Sequence, residues 1–143
     1  MHARLGFFEN FLGADTILID GDREALAALA TQLKELENPS ADLLRIHALP
    51  YIEVRGRVEL TAFPLDRELG VRRRHADWLC FTWRHSEEGW LEAAEKIEAV
   101  AFGRGGHAWL DCIGVEDAVV MVSQGEYGAD WWQQHALPNR QQT

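Results

Sequence analysis

The stretch Gly106-His107-Ala108-Trp109-Leu110-Asp111, followed by Gly114-Val115-Glu116-Asp117 and then Ala118-Val119-Val120-Met121-Val122-Ser123, decides how this chain is read. Two β-prone runs flank a polar turn, which is the pattern of an antiparallel hairpin. His107, Trp109, Asp111 and Ser123 fill its less apolar positions. Alternation along a strand puts His107, Trp109 and Asp111 on one face. Residues four apart on a strand are separated by about 13 Å, so His107 and Asp111 do not form an acid–base pair by themselves. Ser123 lies in Val122-Ser123-Gln124-Gly125 and lacks the glycine two residues earlier that a nucleophile elbow requires. No catalytic residue is assigned, and the hairpin reads as a binding surface.

Beyond the hairpin, Ala129 to His135 has the makings of one more helical turn, and residues 138–143 read as a frayed tail opened by Pro138. Before it, Ser86 is a candidate N-cap, Glu87 and Glu88 suit the positive end of a helix, and Trp90, Ala94, Ile97 and Ala101 recur at helical spacing. Gly103-Arg104-Gly105-Gly106 follows this helix and precedes a strand. A nucleotide fingerprint needs the reverse order, so these glycines are read as a helix C-cap and turn. Asp77 to Arg84 predicts a strand apolar on both faces, central in its sheet. Tyr51 to Ala62 alternates most regularly, with Ile52, Val54, Gly56, Val58, Leu60 and Ala62 on one row, and predicts a half-buried strand. Gly56 marks a bulge or a close approach on that row. Asp15 to Asp20 predicts the first strand, and Leu26, Leu29, Leu33 and Leu36 form the stripe of a helix after Asp22 and Glu24 that ends before Asn38-Pro39.

The resulting order, β-α-β-β-α-β-β without internal repeat or linker, predicts an α+β fold for residues 1–143 as a single domain: a mainly antiparallel sheet with two helices on one face. A chain of 143 residues can bury a core without disulfides or metal. No apolar run approaches the roughly 18 residues that span a bilayer, and Met1 to Phe11 lacks the pattern of a secretory signal. Cys80 and Cys112 sit in apolar runs as small buried thiols. These features predict a soluble, cytoplasmic protein with no membrane contact.

The formal charge of −9 disfavours nucleic acid as a partner. Charge is uneven: residues 85–143 carry 10 acidic and 3 basic residues, whereas residues 61–84 carry 3 acidic and 5 basic. An acidic pole of this kind steers a basic partner. The basic cluster Arg67, Arg72, Arg73 and Arg74 lacks a phosphate loop's glycines and helix entry, and reads as a solvated loop. His75, Cys80 and His85 lie near one another, but the paired spacing of structural zinc sites is absent. No metal and no cofactor is expected. Of six tryptophans, Trp78, Trp83 and Trp90 are expected in the core, while Trp109 and the Trp131-Trp132 pair lie beside acidic residues, where aromatics anchor interfaces.

Thr16-Ile17-Leu18-Ile19-Asp20-Gly21-Asp22 through Ala25-Leu26 and Leu29 to Leu36, together with Gly106-His107 and Leu110-Asp111 before a valine-rich strand, resembles small immunity proteins of bacterial polymorphic-toxin systems. The resemblance implies neutralisation of a cognate toxin by tight binding rather than catalysis. The expected function is therefore a cytoplasmic, immunity-type binding domain for a basic toxin. Trp109, Asp111, Glu116, Asp117, Glu126 and Trp131 are its expected interface residues. Two alternatives stay open: a small enzyme or ligand-binding domain whose pocket gathers His107 and Asp111 with Arg72, Arg73 or Arg74, and a homo-oligomeric structural protein, such as a homodimer, that buries its tryptophans or sheet edge against another copy.

Overall fold

A computed structural model describes residues 1–38, 40, 42–74, 78–103, 105–110 and 117–135. In chain order its elements are β1 (Ala3–Phe11), β2 (Ala14–Gly21), α1 (Arg23–Glu35), β3 (Leu44–Arg45), a 3-10 turn (Ile46–Ala48), β4 (Ile52–Val54), β5 (Glu59–Pro64), β6 (Gly70–Arg73), β7 (Cys80–His85), α2 (Glu87–Phe102), β8 (Gly106–Trp109), β9 (Val119–Gln124) and α3 (Ala129–His135). The α+β class holds. The strands form two mixed sheets, ordered β4-β1-β2-β9-β8 and β3-β5-β7-β6, with parallel pairs β1–β4, β2–β9 and β5–β7 among antiparallel ones. This replaces the expected mainly antiparallel sheet. The expected hairpin forms, with His107 opposite Ser123 and Trp109 opposite Met121.

The regular alternation of Tyr51–Ala62 belongs to two strands in different sheets. Gly56 has φ 85°, and the turn it permits carries the chain from β4, beside β1, to β5, beside β7. Arg55 N donates to Leu5 O at 2.8 Å on one side of the turn, and Glu59 N donates to Leu79 O at 2.8 Å on the other. Each half keeps its apolar alternation, so period two conceals the change of sheet. The N-terminal strand β1 is an addition to the expected order; it pairs with β2 through a tight turn at Leu12-Gly13. The arginine cluster likewise contains strand: β6, the edge of the second sheet, includes Arg72 and Arg73.

The main core lies between the sheets and two helices. Leu26, Leu29, Leu33 and Leu36 of the first helical stripe and Trp90, Ala94, Ile97 and Ala101 of the second are all buried there. Phe7 of the first sheet meets Phe81 of the second at 5.2 Å between ring centroids, and Trp83 meets Trp90 edge-on at 4.9 Å. Lys34 Nζ reaches Glu98 at 2.8 Å to tie α1 to α2. A smaller core occupies the opposite face of the first sheet, where Trp132 of α3 packs on Phe8, Leu18 and Met121. Thus α1 and α2 share one face and α3 takes the other. Burial on both faces explains why Ile17-Leu18-Ile19 reads as an unbroken apolar run.

Several local expectations change. Trp78 is 63% exposed because β7 begins two residues after it, at Cys80. Cys80 is a free, half-buried thiol, while Cys112 lies outside the described residues. Ser86 precedes α2, but its hydroxyl donates to Glu68 instead of capping the helix. No helix among the described residues is long and apolar enough to cross a membrane.

Candidate functional site

The outer face of the first sheet, the side covered by α3, carries a polar row that crosses all five strands. Strand register places Glu53 beside Arg4, Arg4 beside Asp20, Asp20 beside Ser123 and Ser123 beside His107. In the next row inward Gly6, Leu18, Met121 and Trp109 are neighbours. One end of this face is therefore polar, and the part under α3 is apolar.

Asp20 is the pivot of the polar end. It is only 4% exposed and sits at the carboxyl end of β2. Ser123 Oγ donates to Asp20 Oδ1 at 2.5 Å, and Glu126 N donates to the same oxygen at 3.1 Å. Burial raises the Asp20 carboxyl above its ordinary value, against the lowering effect of these bonds and of the Tyr127 and Gly125 backbone. Ser123 gives its hydrogen to a carboxylate that fixes the 124–127 loop, so its role is positional. Glu126 Oε1 in turn accepts from His107 Nδ1 at 2.9 Å, tying the loop to β8.

The fixed loop delivers Tyr127 and then α3 to an aromatic cluster. Trp131 lies 5.2 Å from Phe8, 6.0 Å from Phe11 and 4.5 Å from Tyr127 between ring centroids, and His135 stacks on it at 4.6 Å. Trp132 and Phe8 are buried, but Phe11, Trp109, Tyr127 and Trp131 remain partly open to solvent. Glu126 and Asp130, each next in sequence to one of these aromatics, are exposed. Beside Phe11, Leu12 is 71% exposed and has φ 51°, a conformation in which a large apolar residue is strained.

Comparison with family models, curated proteins and solved structures returns no match.

Of the expected interface residues, Trp109, Glu126 and Trp131 are brought to this one surface. Asp111 and Glu116 lie outside the described residues. Asp117 is employed elsewhere: its Oδ2 accepts from Arg73 N at 2.8 Å and its own N donates to Val71 O at 2.9 Å, pinning the start of β9 to β6. Of the suggested pocket, Asp111 lies outside the described residues, and among the described residues His107 is not brought together with Arg72, Arg73 or Arg74. His107 pairs at the far end of β9 from the contact between Asp117 and β6. The Arg73 guanidinium instead lies 5.8 Å from each of the Phe7 and Phe81 rings.

A second polar cluster joins the β5–β6 connection to α2. Glu68 accepts from Ser86 Oγ and meets Nδ1 of His85, a residue only 5% exposed that is flanked edge-on by Trp83 and Trp90. Burial raises the Glu68 carboxyl, but the Ser86 and His85 contacts outweigh it and hold the group below its ordinary value. A carboxylate here also complements the positive end of α2. The serine hydroxyl is bound to the carboxylate, so the order of contacts differs from that of a nucleophile–base–acid relay. Among the described residues no group of three or more His, Cys, Asp or Glu side chains is placed to hold a metal ion.

Sequence reading missed Phe11, Asp20 and Tyr127. Only the parity of β1 and β2 hinted at them, since Phe8 and Leu18 fall on the face opposite Phe7 and Ile17 and require a second cover.

Proposed function

We propose that this chain is a protein-binding domain whose aromatic surface, formed by Phe11, Trp109, Tyr127 and Trp131, seats a basic partner. The observation that carries this reading is the half-open state of those four rings around an already filled core, next to the exposed carboxylates of Glu126 and Asp130. Large aromatics supply buried area at low entropic cost, and acids at the rim accelerate encounter with a positive surface. Leu12 supports the same reading, because an exposed leucine at positive φ costs stability that asparagine or glycine would not. The resemblance to immunity proteins makes the partner class concrete: a basic toxin domain, bound in the cytoplasm and neutralised by being covered.

The test begins with capture of a partner and continues with both proteins purified. Glu126→Lys and Asp130→Lys should each slow association and flatten its dependence on salt. Trp131→Ala should chiefly raise the dissociation rate, weakening binding by about 2 kcal/mol, near thirtyfold in Kd. Association rates and salt slopes unchanged by both charge reversals would reject this surface as the interface.

A further inference from the structure

A cleft of about 420 Å³ opens at the carboxyl ends of the adjacent parallel strands β2 and β9, in front of the first turn of α1. Its walls include Arg4, Arg23, Gln124 and Tyr127, and Gly125 and Gly128 leave its loop side open: a Cβ built on either glycine meets no atom within 4 Å. This volume is within the range of about 300–1,000 Å³ typical of small-molecule sites. Carboxyl ends of parallel strands are also where the backbone diverges and leaves room for a ligand.

The charges of the cleft are unequally engaged. Asp22 accepts from Ala25 N at 2.8 Å and His2 N at 3.0 Å, so it is occupied in capping α1 and anchoring the N-terminal segment. Asp20 is turned to Ser123 and the Glu126 backbone. Arg23 Nε donates to Ala101 O at 3.1 Å. Glu53, the neighbour of Arg4 on β4, is held by Arg55 at 2.7 Å and by His2 at 2.9 Å. The Arg4 side chain is half-buried and makes no hydrogen bond or close ion pair with any described residue, although its charge helps to hold the Glu53 carboxyl below its ordinary value. A guanidinium held in a cleft with its donors unspent presents the fork that carboxylates and phosphates match.

We infer that this cleft binds a small oxyanionic ligand, a carboxylate or phosphate ester, with Arg4 as the anchor and Arg23 as the second cation. Gln124 and the Tyr127 hydroxyl offer polar contacts to the rest of the molecule. The site shares Tyr127 with the aromatic surface but none of the groups that the charge-reversal experiment alters, so the two ideas stand or fall separately.

The test is a titration of the full chain with malonate and, in a second arm, with glycerol phosphate, followed by amide chemical shifts at constant ionic strength. Saturable shifts at Gly125 and Gly128, with binding weakened at least about tenfold by Arg4→Gln, are expected; the arm that saturates at lower concentration identifies the anion class. Gly128→Val provides a variant that narrows the cleft without entering the core, and it should weaken binding while the circular dichroism spectrum stays unchanged. Absence of saturation up to about 10 mM of either probe would overturn the proposal, as would equal binding by the wild type and the Gly128→Val chain.

Discussion

Replacing Gly6 by alanine tests how α3 is held against the sheet. Gly6 lies on β1 opposite Leu18, facing the smaller core. A Cβ at this position would stand 2.6 Å from Trp132 Cζ3 and 3.1 Å from the nearest atom of the Phe8 ring, well inside the roughly 3.5 Å at which carbon atoms make good contact. The strand cannot retreat, because Leu5 and Phe7 on its other face are almost wholly buried in the main core. Trp132 must move instead, and with it the seven residues of α3. Overpacking costs about 1–3 kcal/mol, offset by about 0.5–1 kcal/mol for removing glycine from a strand, which leaves a net loss of about 0–2.5 kcal/mol. In a Trp132→Leu background the indole edge is gone, and Gly6→Ala should become neutral or stabilising. Urea unfolding of all four combinations measures the coupling, expected at about 1–3 kcal/mol. Equal cost in both backgrounds, within about 0.3 kcal/mol, would refute the claim that Gly6 exists to admit Trp132.

Two further perturbations probe the polar end and the hairpin tip. Because the Asp20 carboxyl is raised by burial, the native state holds its proton more tightly than the unfolded chain. The group's contribution to stability is thus present below its ordinary value near 3.8 and is lost as pH climbs through the higher native value. Asp20→Asn keeps an acceptor for Ser123 and Glu126, so its stability relative to wild type should rise with pH over that window; a difference that is flat from about pH 4 to pH 8 contradicts this. Leu12→Asn relieves a left-handed backbone of its branched apolar side chain and should stabilise the monomer by about 0.5–1 kcal/mol in thermal unfolding, while weakening capture of the partner. A destabilised variant would show that Leu12 serves the fold and not the surface.

The repeat of apolar positions along α1 and α2, the hairpin of β8 and β9, and the α+β class are legible in the sequence because each rests on helical and strand periods expressed within single short segments, and the two strands of the hairpin follow one another directly along the chain. The aromatic surface was half legible: Trp109 and Trp131 stand beside acids, but Phe11 joins them only through the pairing of β1 with β2. Asp117 shows the opposite error, since a charged turn residue looked available until its carboxylate met the Arg73 amide 44 positions away. The alternation from Tyr51 to Ala62 determined which side chains turn inward and left open which sheet receives them. Gly56 and the separate acceptors on its two sides, Leu5 O for Arg55 N and Leu79 O for Glu59 N, settled that in three dimensions. Period and propensity are local quantities, and the sequence by itself fixed the elements they describe. Strand order, the second cover on the first sheet and the convergence of Arg4, Asp20 and Ser123 depend on contacts between distant segments, and those were decided only when the chain packed.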